Sequence, residues 1–154
     1  DFIHEQGYWD YIDDAAALLE EYGDRIRLPE DVAVERDGDR HEVARDAFPP
    51  GDGEAAMDVG SATVDAYSSV LADAETVLLN GPAGVFEEET FAHGTRELYA
   101  AAAESAYSIV GGGDTAAAIR RFDLDGFDHL STGGGAALRM LTGEPLPAVE
   151  ALEG

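Results

Sequence analysis

The chain has 154 residues, 45% of them hydrophobic, which suits one domain able to bury roughly 70% of the surface its unfolded chain exposes. It contains no cysteine, excluding thiol catalysis, iron–sulfur clusters and cysteine zinc sites, and no apolar run approaches the ~20 residues of a membrane span. Thirty-three acidic residues against nine basic ones, all arginine, leave a net charge of −24, which repels nucleic acid and anionic membrane alike.

High net charge often means disorder, but the apolar content and the periodic segments argue for a folded chain. The composition reads as that of a halophile's protein. Acids keep the surface hydrated, and molar salt, with a Debye length of ~3 Å, screens their repulsion.

In chain order, Tyr11, Ala15, Leu18 and Tyr22 fall at helical spacing and predict a first helix stopped by Gly23, with Trp9 as its anchor. Arg25 to Leu28 reads as a short strand and Val32 to Val34 as a second extended piece. The stretch Arg36 to Gly53 is charged and turn-rich, with Pro49, Pro50, Gly51 and Gly53 in its second half and room for a hairpin. A helix over Ser61 to Ala72 follows, Ser61 placed as its N-cap. From there strands and helices alternate: strand Thr76 to Leu79, helix Thr95 to Ala103, strand Ser108 to Val110, helix Asp114 to Phe122, strand His129 to Ser131, helix Gly134 to Leu141. That alternation predicts an α/β fold, a Rossmann-like doubly wound parallel sheet with helices on both faces.

Two glycine-rich corners occupy the same place, between the end of a strand and the start of a helix. They are Ser108-Ile-Val-Gly-Gly-Gly-Asp-Thr115 and His129-Leu-Ser-Thr-Gly-Gly-Gly-Ala136. Either could be a tight turn, but glycine also lets the backbone approach a bound group, and a helix N-terminus offers unpaired N–H groups to phosphate. Asp114 reads two ways, as a helix N-cap or as the ligand of a Mg²⁺ lying between it and a phosphate. Thr115 could donate its hydroxyl to a phosphate oxygen. A third segment, Asn80-Gly-Pro-Ala-Gly-Val-Phe-Glu87, offers an amide at Asn80, an apolar edge for a base at Pro82 and Val85, and a carboxylate for two ribose hydroxyls at Glu87.

Together these three segments, in this order and spacing, resemble the nucleotide-binding half of phosphoglycerate kinase. Supporting matches are Leu28-Pro-Glu-Asp31, Asp58-Val-Gly60 with Thr63, Phe91 with Gly94-Thr95, and Gly143-Glu-Pro-Leu-Pro147. The resemblance implies a cytoplasmic, monomeric enzyme of glycolysis that moves a phosphoryl group between 1,3-bisphosphoglycerate and ADP, giving 3-phosphoglycerate and ATP, with Mg²⁺ as cofactor. It implies nucleotide-binding roles for Asn80, Gly81, Pro82, Val85, Glu87, Gly111, Gly112, Gly113, Asp114 and Thr115, with Asp114 on the metal. Backbone amides of Gly133, Gly134 and Gly135 would face the transferring group. Leu79 and Ala83 stand where many members have tryptophan and methionine, and this looks like an archaeal variant.

The family also has an N-terminal domain that binds the glycerate substrate, and an earlier stretch of the nucleotide domain bearing a phosphate-binding lysine. This chain has no lysine. Residues 1–154 resemble a partial C-terminal nucleotide-binding domain missing its first elements, expected to be inactive alone and to meet 3-phosphoglycerate only with the N-terminal domain absent from this chain. Two other readings stand beside this one. Gly111 to Ala116 satisfies the loose dinucleotide pattern of an NAD(P)-binding Rossmann domain of an oxidoreductase, though the acid expected ~20 residues on would fall near Leu130. The other is a non-catalytic nucleotide-binding module.

Overall fold

The computed structural model describes residues 7–47, 54–131 and 133–153. Helix α1 (Asp10–Tyr22) comes first, then strands β1 (Asp31–Arg36) and β2 (Asp39–Ala44), a 3-10 turn at Arg45–Ala47, β3 (Ala56–Val59) and helix α2 (Ser61–Ala72). The alternating half follows: β4 (Val77–Asn80), a 3-10 turn at Glu89–Phe91, α3 (His93–Ala103), β5 (Ser108–Gly111), α4 (Gly113–Arg121), β6 (His129–Ser131), α5 (Gly134–Leu141) and α6 (Pro147–Glu153).

The described strands form two sheets instead of one. β4, β5 and β6 make the expected parallel sheet, in that order, each strand joined to the next by a helix. β1 sits between β2 and β3 in a separate antiparallel sheet. The hairpin foreseen in the turn-rich stretch closes through Asp37 and Gly38, whose φ angles of +55 and +86 belong to the two-residue turn whose twist matches paired strands. The second half of that stretch, with Pro49, Pro50, Gly51 and Gly53, lies outside the described residues, as does Thr132 of the second glycine corner.

Three further expectations need correction. Arg25 to Leu28 forms no strand ladder among the described residues; Arg25 and Arg27 instead line, with Tyr67, Leu79 and Leu98, a cleft of about 380 Å³. Helix α1 buries none of its residues, and Trp9 is 59% exposed, so its apolar stripe anchors nothing among the described residues. Ser61 does not cap α2. Gly60 holds the N-cap position, and the capping oxygens come from Asp31 on β1, which accepts N–H bonds from Ala62 (3.0 Å) and Thr63 (2.8 Å).

Two apolar clusters fill the interior. Phe86, Tyr99, Val110, Ala118 and Ile119 pack under the parallel sheet, while Val59, Val64 and Leu98, with Tyr67, Leu71 and Ala83 against them, join α2 and α3 to β3. Ala83, at the position noted as a departure from the family pattern, is thus part of a packed cluster.

Candidate functional site

The parallel ladder sets Asn80 opposite Gly111 and Gly111 opposite Ser131, so the three strands end on one line. In an open parallel sheet that carboxyl rim is where ligands gather. Beyond it the backbones close in on each other. Gly112 turns at φ +106, and its N–H donates to the Ser131 carbonyl (3.1 Å). A Cβ on Gly134 would stand 2.6 Å from Gly112 Cα and 2.9 Å from Asn80 Oδ1, so only hydrogen fits there. Asn80, the first glycine corner and the second glycine corner therefore meet.

Helices α4 and α5 both start at this meeting point. The first intrahelical bonds are Ala116 N–H to the Gly112 carbonyl and Ala137 N–H to the Gly133 carbonyl. That leaves the first-turn amides of Gly113, Asp114 and Thr115, and of Gly134, Gly135 and Ala136, without intrahelical acceptors. Gly133 contributes no free amide, because its N–H donates to Ser131 Oγ (3.2 Å). Gly111 is buried and paired within the sheet; it fixes the register from which the corner turns.

Asp114 lies exposed in the first turn of α4, and its carboxylate caps nothing: the N-cap position belongs to Gly112, which makes no side-chain cap bond. Its capping reading is thereby removed. No group of three or more His, Asp or Glu side chains among the described residues could hold a metal unaided. One carboxylate beside two rows of amides fits a Mg²⁺ completed by phosphate oxygens and water. Thr115 is fully buried beneath the loop. Its hydroxyl accepts the Gly81 N–H (2.7 Å), which ties the loop to α4, and its own O–H proton and main-chain N–H are the donors that the residue can still offer.

The segment 80–87 is laid along α4. At Gly81 it is tied to Thr115 in the first turn of that helix, and at Glu87, which is exposed, its carbonyl accepts from Arg121 in the last (3.1 Å). Between these ends, the N–H groups of Ala83 and Gly84 donate to the buried Thr95 hydroxyl (3.0 and 3.2 Å). Val85 N–H donates to the Met57 carbonyl (2.8 Å). Pro82, Val85, Met57, Ala56, Val32 and Pro29 line a groove of about 330 Å³, the lower end of the range for small-molecule sites. Met57 was not singled out from the sequence; nothing marks a methionine in a strand as part of a site until the groove is seen.

Below the groove Asp58 is buried and ion-paired with Arg40 (2.8 Å), and its carboxylate also accepts from the amides of Val59 and Gly94 (both 2.9 Å). A Cβ at Gly84 or Gly94 would overlap that carboxylate, which explains why small residues stand at both places. The dinucleotide alternative loses its acid here. Asp128, the nearest candidate, accepts the N–H (2.8 Å) and hydroxyl (3.2 Å) of Ser108, so its carboxylate is spent inside the fold.

An α/β, Rossmann-like domain whose three carboxyl-end bends converge is the class that this fold and rim define. The family described as Phosphoglycerate kinase matches residues 3–144, and the chain belongs to that family. Phosphoglycerate kinase of Halobacterium salinarum is 63% identical over 152 residues, covering 99% of this chain and 38% of the relative. That of Natronomonas pharaonis is 55% identical over 140 residues, covering 90% of this chain and 35% of the relative. The crystal structure of the enzyme from Pyrococcus horikoshii OT3 superposes with a TM-score of 0.90 at 40% identity, over 99% of this chain and 38% of that one. The chain thus spans somewhat over a third of the length of the curated relatives it matches. Two of these relatives come from halophilic archaea, in keeping with the acidic composition.

Proposed function

We propose that the chain is the nucleotide-binding part of a phosphoglycerate kinase, acting in glycolysis in the cytoplasm as a monomer. The observation that carries this reading is the meeting of Asn80, Gly112 and Gly134 at one point on the strand-end rim. The first-turn amides of α4 and α5 bind the phosphate chain of ADP or ATP, those of Gly134 and Gly135 lying toward the transferring group. The Asn80 amide donates to a phosphate oxygen. Pro82, Val85 and Met57 cover the base in the groove, and Glu87 accepts from the ribose hydroxyls. Asp114 would hold Mg²⁺, which when bound neutralises charge on the phosphate oxygens.

Phosphoryl transfer depends on positioning and on charge neutralisation, so each of these groups acts by fixing oxygen atoms in place. The acceptor, 3-phosphoglycerate in the ATP-consuming direction, would be held by the rest of a full-length enzyme. With no lysine in the chain, and the three arginines nearest the glycine corners in sequence (Arg120, Arg121 and Arg139) in the last turns of helices that start at the rim, we propose that these 154 residues alone give no measurable turnover of ATP with 3-phosphoglycerate. A cationic clamp missing from such a transition state costs about 10³-fold or more.

Thermal unfolding in molar KCl tests the binding claim. Mg-ADP raises the melting midpoint, NAD does not, and Asp114→Asn weakens the Mg-dependent part of the shift. Stabilisation by NAD in place of Mg-ADP would overturn the assignment.

A further inference from the structure

One hydroxyl beneath the rim belongs to no motif. Tyr99 lies on α3, is 2% exposed, and packs its ring with Phe86, Val110, Ala118 and Ile119. Its phenol donates to the Gly81 carbonyl (2.9 Å), while the N–H of the same glycine goes to Thr115 (2.7 Å). Gly81 sits at φ +94, a conformation that glycine leaves as readily as it enters. It is flanked by Asn80 and Pro82, so the orientation of its two peptide planes sets the direction of both neighbours.

We infer that Tyr99 is a positioning residue of the rim: with Thr115 it clamps both polar groups of Gly81 and thereby aims Asn80 and Pro82 at a bound nucleotide. This rests on the nucleotide reading above. Three elements converge on one residue, α3 through Tyr99, α4 through Thr115 and β4 through Asn80, and neither clamping side chain needs to touch the ligand. Burial pushes the phenol's pKa up, the facing Thr115 hydroxyl pulls it down, and the charge of Asp114 raises it again. The net value lies above the ordinary one, so the group remains a donor across the working range. A tyrosine serving only the core would affect stability when its hydroxyl is removed, and would leave ligand affinity alone.

The test compares the chain with Tyr99→Phe, Thr115→Val and Thr115→Ser in molar KCl. Calorimetric titration should show Mg-ADP bound about three- to tenfold more weakly by Tyr99→Phe and Thr115→Val, the range one hydrogen bond supplies. Thr115→Ser, which keeps the hydroxyl, should recover most of the affinity that Thr115→Val loses. The double variant should lose less than the product of the two single losses, because both act through the φ and ψ angles of Gly81. Hydrogen exchange at the Gly81 amide should quicken in both weakened variants while that of Val110 in β5 holds. Unchanged Mg-ADP affinity in Tyr99→Phe, even with lowered thermal stability, overturns the inference. A parent chain that ignores Mg-ADP would instead overturn the nucleotide reading, and Gly81 exchange measured without ligand would then still show whether the phenol clamps the loop.

Discussion

Asp31 shows how much one carboxylate can organise. It accepts from the Ala62 and Thr63 amides and from the Thr63 hydroxyl (2.6 Å), and that hydroxyl in turn accepts the Glu30 N–H (2.9 Å). Gly60 leaves the room, since a Cβ there would fall inside the carboxylate. Asp31→Ala should destabilise the chain by about 1–3 kcal/mol, the cost of losing a cap and leaving buried partners unpaired. Burial raises the Asp31 pKa, but the bonds from Thr63 and Ala62 outweigh it and bring the net below the usual aspartate value. A group lowered in the folded state gives stability that is present above its unfolded pKa and is lost as pH falls through the folded one. The difference in melting midpoint between parent and Asp31→Ala should therefore be full at pH 6 and shrink below about pH 4. A gap that stayed constant down to pH 2.5 would show that the ionised form of Asp31 is not what stabilises the cap.

At the scale of elements, the two glycine corners carry the site. Gly134→Ala should part α5 from Gly112, because the added carbon would lie 2.7 Å from Gly112 N, a main-chain atom with little room to give. We expect Mg-ADP affinity to fall at least about tenfold, and the Gly111–Ser131 pairing to loosen in hydrogen exchange, while Gly135→Ala, where nothing lies within 4 Å of the added carbon, changes little. Equal loss in both variants would show that the corner is sensitive to helix composition and not to close approach. These corners were legible because strand, glycine run and helix are consecutive in the sequence. The clamps on the loop were not: Thr95, Tyr99 and Met57 act on main-chain groups of residues 11 to 28 positions away, and no local pattern records that. The Asp37-Gly38 pair is a plain hairpin signal, and it joins the extended piece at Val32 to Val34 to the charged stretch just beyond it, where no apolar alternation marks β2 as its partner. Arg25 to Leu28 failed for the opposite reason. A strand exists by its ladder, and among the described residues none pairs with it, although Arg25 and Arg27 line a cleft with Leu79 of β4.

For the molecule as a whole, charge sets the conditions under which any of this geometry exists. Among the described residues four arginines make ion pairs with carboxylates, and of these only Arg40 reaches a fully buried one. With 33 acids in the chain, most carboxylates have no cationic partner and repel one another across a small surface. Dilution from 1 M to 10 mM salt stretches the Debye length from ~3 to ~30 Å, longer than the spacing between neighbouring surface carboxylates, so repulsion that was local becomes collective. We expect the melting midpoint to fall by about 5 °C or more over that range, since each kcal/mol is worth about 2–4 °C at this size. Screening and strengthened apolar burial can be separated by the choice of anion. Screening depends on ionic strength alone and acts mostly below a few hundred millimolar, whereas burial responds to sulfate far more than to chloride and keeps rising. Potassium chloride and sodium sulfate at equal low ionic strength should therefore stabilise the chain alike. If sulfate stabilises it and chloride does not, the acids are bystanders, and the stabilisation comes from the apolar surface that folding buries, such as the cluster of Phe86, Tyr99, Val110 and Ile119.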